Sequence, residues 1–201
     1  MQFEQLRRRE LISLLSSVAV AWPLAARAQQ GERMRRVGVL SNLRAGDAEA
    51  SLQAGALEQG LEQQGWQLGT NLRIDYRWAA GDADLYRKYA AELIALAPDV
   101  VLAVGGTAVG DLQQASPTVP IVFVNVIDPV SRGLAASLAR PGGNATGFTQ
   151  FEFGVAGKWV ELLKQIAPSV TRVAVLRNPA IIGAMGQLAA IQTAAMTNVS
   201  R

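Results

Sequence analysis

From Arg36 onward, short runs of β-branched residues alternate with amphipathic stretches, the pattern of repeated β-α units on a mostly parallel sheet. Val37-Gly38-Val39-Leu40 predicts the first strand. Ala50, Ala54, Leu57 and Leu61 then recur at i, i+4, i+7 and i+11, one face of a helix that stops at Gly65. Leu72 to Trp78 alternates apolar with polar residues and predicts a second strand nearer an edge than the centre. Gly81-Asp82-Ala83-Asp84 caps a helix carrying Leu85, Tyr89, Leu93 and Leu96, which Pro98 ends. The continuous run Asp99 to Val104 predicts a third strand buried on both faces, and Gly105-Gly106 lets the chain turn into a helix beginning near Thr107. Ile121 to Val124 is the fourth strand, and Pro129 opens a short helix with Leu134 and Leu138. The turn cluster Arg140-Pro141-Gly142-Gly143-Asn144 precedes a brief strand from Thr146 to Thr149. Val155, Trp159, Leu162, Leu163 and Ile166 mark an amphipathic helix, Arg172 to Leu176 a further strand, and residues 184–197 a last helix. The fold class is α/β.

The N-terminus follows a different pattern. Arg7, Arg8 and Arg9 precede an apolar run from Leu11 to Ala26, and Ala26-Arg27-Ala28 places small residues at the −3 and −1 positions of a cleavage site before Gln29. The run is shorter than the roughly 20 residues a transmembrane helix needs, and Pro23 lies near its end. Residues 1–28 are therefore expected to be a cleaved signal peptide that sends the rest to the periplasm; the adjacent arginines resemble a twin-arginine signal. That segment holds four Arg and two Glu of the chain's 19 basic and 16 acidic groups, leaving 15 and 14. A surface so nearly neutral does not suit nucleic acid.

The chain has no Cys and no His. This removes disulfides, imidazole and thiolate metal sites, and nucleophilic machinery built on His or Cys. No metal, cofactor or catalytic residue is expected, and the reading is that of a protein other than an enzyme. What remains is binding chemistry. Loops at the carboxyl ends of strands line the ligand crevice of an open parallel sheet, so Ser41, Asn42, Gly106, Thr107, Asn125 and Asp128 are expected to converge there. Gly105-Gly106-Thr107 departs from the dinucleotide fingerprint and from a Walker A loop, but small residues at a strand end expose the first N–H groups of a helix to an anion. Asp128, before Pro129, reads either as an N-cap or as a negative charge for a ligand's ammonium. Trp66, Trp78, Phe151 and Trp159 are candidate pocket walls; Trp159 has the spacing of a helix core residue. Phe151 lies between the two β-α series, where a hinge is expected.

Several stretches together resemble the ABC-transporter substrate-binding protein family: the N-terminal signal, Asp75-Tyr76-Arg77-Trp78-Ala79, Asn125-Val126-Ile127-Asp128-Pro129-Val130, and Leu138 through Thr149. The resemblance implies a type I periplasmic-binding fold of two Rossmann-like lobes joined by hinge strands. It also implies capture of a small solute, an amino acid or related organic acid, and delivery to ABC permease membrane subunits. Residues 33–149 would form the first lobe and 150–201 the opening of a second, C-terminally truncated one. On that expectation Trp159, Leu162, Leu163 and Ile166 present an uncovered apolar stripe. The alternatives are a Rossmann-like enzyme using Asp128 as acid/base and an orphan ligand-sensing module.

Overall fold

The computed structural model describes residues 33–177 and 183–199; the signal read at residues 1–28 lies outside them. The chain runs β1 (Arg35–Ser41), α1 (Ala48–Gln63), β2 (Leu72–Trp78), α2 (Ala83–Ala95), β3 (Val100–Val104), α3 (Gly106–Ala115), β4 (Ile121–Val126), β5 (Ala145–Thr149), α4 (Val155–Ile166) and α5 (Ala184–Val199). The five strands form one sheet in the order β2-β1-β3-β4-β5, and every pair is parallel. The α/β class and the parallel sheet expected from the sequence are both present, with β2 at an edge.

The two faces of the sheet are covered unequally. Leu40, Val101, Ala103, Ile121 and Phe123 meet Tyr86, Ala90 and Leu93 of α2 and Ala108, Val109 and Leu112 of α3 in one core. Helix α2 is rotated slightly from the expected face: Tyr86 and Ala90 are buried, while Leu85, Tyr89 and Leu96 pack at the margin. Asp82 accepts from the N–H groups of Asp84 and Leu85 and so caps α2 as expected. On the other face α1 buries only Ala50, and Leu52 is 73% exposed. Hence Val100 and Leu102 of β3, expected to be fully buried, are only half covered.

Two predicted elements are corrected. The stretch after Pro129 is a single turn. Leu134 N–H donates to the Pro129 carbonyl and Gly133 N–H to the Val130 carbonyl, and Gly133 has φ +70°. These two bonds around a left-handed glycine are the Schellman stop, so Leu134 and Leu138 never share a helix face. Residues 171–177 form no strand: Val173 and Val175 are exposed and Leu176 is 102% exposed. Their alternation is legible, but a strand exists only through a neighbour that satisfies its backbone. Helix α4 does carry the expected stripe, with Trp159, Leu162, Leu163 and Ile166 all substantially exposed and α5 packed against it.

At the amino edge of the sheet, Asp99 accepts from the Arg36 N–H at 2.9 Å and from Arg35 Nη1 at 2.8 Å. These bonds, the first above all, hold its carboxyl below the ordinary aspartate range against a smaller opposing effect of burial. A depressed folded-state pKa contributes stability that is present above the unfolded value and lost as pH falls through the folded one. Denaturant midpoints are therefore expected to fall below about pH 4, less steeply in Asp99→Asn, and identical acid curves for the two proteins would refute this.

Candidate functional site

The strand order reverses direction between β1 and β3, and in open parallel sheets the crevice opens at such a switch point, beyond the carboxyl ends of the strands. The loops after β1 and β3 meet there. Gly105, at φ +87° and ψ 153°, turns the chain sharply from β3 into α3, a conformation that needs glycine, and its N–H donates to the Val124 carbonyl. A Cβ built on Gly105 would lie 4.0 Å from Cβ of Asn42. Gly106 and Thr107 follow as the first residues of α3, with N–H groups that no preceding helical turn can satisfy.

The candidate residues divide into groups. Asn42, Gly106 and Thr107 gather at the switch point, and the side chains of Asn42 and Thr107 have no hydrogen-bond partner among the described residues. Asn125 stands one strand away, exposed, with its side chain likewise unpartnered and its backbone left-handed at φ +56°. It lies where the β4–β5 register shifts between Phe123 and Val126, so the irregularity turns a polar side chain out at the strand's carboxyl end. Ser41 is 1% exposed; its Oγ accepts from the Leu43 N–H and its carbonyl from the Ala79 N–H, fixing the β1 loop. Ser41 and Asn125 also line a cavity of about 260 Å³ on the α1 face, with Gln53, Trp78 and Val104. Tyr76 stacks on Trp78 at 5.4 Å there, and both rings line this cavity.

Asp128 is occupied differently. Its Oδ1 accepts from the Ser131 N–H at 3.0 Å and its Oδ2 from the Phe153 N–H at 3.1 Å, while its own N–H donates to the Phe151 carbonyl. Burial raises its pKa, but the backbone bonds from Ser131 and Phe153 outweigh burial and hold the carboxyl below its ordinary range. It caps the turn after β4 and staples that turn to residues 151–153. Phe151 lies on this staple and meets Trp159 edge-on at 5.8 Å, apart from the switch-point group.

Sequence reasoning missed Arg132. It sits in the turn expected to be a helix, and its guanidinium lies against Gly106, where any Cβ would overlap it. Only the turn geometry brings it back over α3; no spacing or motif announces it. Among the described residues no group of three or more His, Cys, Asp or Glu is placed to hold a metal ion, and no helix is long and apolar enough to cross a membrane.

A family model described as "ABC transporter substrate binding protein" matches residues 37–200. A tyrosine-binding protein of Clostridioides difficile (strain R20291) is 28% identical over 138 residues, which cover 69% of this chain and 39% of that protein. A crystal structure of a conserved domain protein from Vibrio cholerae superposes with a TM-score of 0.71 at 29% identity, covering 83% of this chain and 55% of that one. A Streptococcus pneumonia ABC domain solved with L-Trp gives a TM-score of 0.70 at 24% identity, over 82% and 54% of the two chains, a likeness of fold. The chain spans about half the length of these solved relatives.

Proposed function

This chain belongs to the ABC transporter substrate binding protein family, and from that premise we propose that it is the exported solute-binding component of an ABC importer. In this reading it takes a small amino acid or related organic acid into the crevice at the β1/β3 switch point. A second lobe, of which residues 150–201 are the opening, closes over the solute, and the closed form delivers it to the membrane permease. The observation that carries the reading is the gathering of Asn42 with Gly106 and Thr107 beyond the Gly105 turn, with Asn125 one strand away: unpartnered side chains and the open first N–H groups of α3 at the carboxyl edge of the sheet. The tyrosine-binding relative supports an amino acid as the first solute to try.

The enzymatic alternative has less support. An acid/base catalyst near neutral pH wants a pKa near the working pH, whereas Asp128 is pushed the other way and both its oxygens hold backbone donors.

The test is calorimetric titration of the full-length protein with L-tyrosine, glucose and putrescine as carboxylate-bearing, neutral and cationic probes. Thr107→Ala and Asn125→Ala are each expected to weaken binding of whichever probe is taken by about 1–3 kcal/mol, the cost of leaving a polar partner unsatisfied. Melting temperature should change little. Affinity that neither substitution alters would place the solute elsewhere.

A further inference from the structure

Among the described residues, arginines elsewhere that are not left open to solvent, as the exposed Arg44, Arg140, Arg172 and Arg177 are, find acids. Arg33 and Arg35 pair with Asp99, Arg36 and Arg73 with Asp75, Arg77 with Glu92 and Arg87 with Asp84. Arg132 has no acidic group within ion-pair distance and no side-chain hydrogen bond among the described residues, although it is half buried. Burial, with nothing opposing it, lowers the pKa of its guanidinium. A partly dehydrated cation without a counter-charge is costly, and ordinary folding removes such arrangements by pairing them.

Its location makes the arrangement more unusual. The guanidinium rests on Gly106, the first residue of α3. That end of a helix carries the positive pole of the peptide dipoles, so cations are normally found at the opposite end. Side chain and helix thus place two positive sources at one spot, the first residue of α3, next to Thr107 in the chain. Gly106 is itself part of the arrangement, because only a residue without a Cβ leaves this space to the guanidinium.

We infer that Arg132 is the specificity-determining cation of the crevice and receives the carboxylate of the solute. The inference rests on the solute-binding reading above and adds the residue that reads the solute's carboxylate. A guanidinium offers two parallel N–H donors to a carboxylate, the geometry in which charge-assisted bonds are strongest. The bound anion would satisfy at one stroke the unpaired side chain and the open N–H groups of the first turn of α3.

The experiment measures Kd by calorimetry on the full-length protein for L-tyrosine, L-tyrosinamide, inorganic phosphate, glucose and putrescine. Arg132→Gln is expected to weaken L-tyrosine about 10–100-fold, as loss of a charged hydrogen-bond partner does, while tyrosinamide changes by no more than about twofold on the same grounds. Gly106→Ala moves the flexible guanidinium away without left-handed strain, so it should weaken L-tyrosine in the same sense. Preferential, Arg132-dependent binding of phosphate would replace the carboxylate with a phosphoryl solute and overturn the assignment. Equal loss for acid and amide, or no loss for either, overturns it as well. Binding of glucose or putrescine alone would sink the inference and leave the crevice standing; binding of none of the panel sinks both.

Discussion

Replacing Gly147 with alanine is expected to cost on the order of 3 kcal/mol of stability, enough to lower the denaturant midpoint severely. Gly147 sits in β5 in register with Phe123 of β4, and a Cβ there would overlap the backbone N, C and O of Phe123. The obstacle is main chain in the interior of the sheet, so no rotamer change relieves it. Either β5 leaves β4 or both strands shift, and Ala145 and Phe123 lose core contacts with them. Gly154→Ala is the control, because nothing lies within 4 Å of the added carbon; it should fall within about 0.5 kcal/mol of the parent. Equal midpoints for the two variants would mean that β5 does not pair with β4 in this register.

What the sequence disclosed follows from which interactions are local. Strands β1, β3 and β4 could be read because each is a short run rich in β-branched residues, and β2 could be read, and assigned to an edge, because its apolar and polar residues alternate. The Asp82 cap and the Gly105-Gly106 turn could be read because the residue types themselves solve a local backbone problem. The turn after Pro129 misled: Leu134 and Leu138 have helical spacing, yet Gly133 stops the helix first. Residues 171–177 misled for the opposite reason, since their alternation is sound and the missing ingredient is a neighbouring strand. Within the site, Asn42, Gly106 and Thr107 were legible from strand ends alone. The left-handed backbone of Asn125 was announced only by the tolerance of Asn for that region. Arg132 was not legible at all, because its place depends on a turn folding back over a helix 26 residues earlier.

Asp128→Ala is expected to unfasten residues 151–177 and 183–199 from the sheet. The substitution removes the acceptors for the Ser131 and Phe153 N–H groups and puts alanine at a left-handed φ of 44°, which aspartate tolerates better. Two unsatisfied donors and the added strain amount to about 2–4 kcal/mol. The loss is directed, because the Phe153 ring covers Gly186 of α5 and Ile127 packs on Gly183 just before that helix. Loosening the 151–153 segment therefore unseats α5, and α4 with it, while the core around Leu93, Val101 and Leu112 keeps its partners. Hydrogen exchange should show at least about tenfold faster exchange across α4 and α5 with little change in β1, β3 and β4. Asp128→Asn, which keeps one carbonyl acceptor and the left-handed preference, should fall between. Exchange that stays at the parental level while solute affinity collapses would instead make the carboxylate a partner for the solute's ammonium, the role in which Asp128 reads from sequence at the carboxyl end of β4.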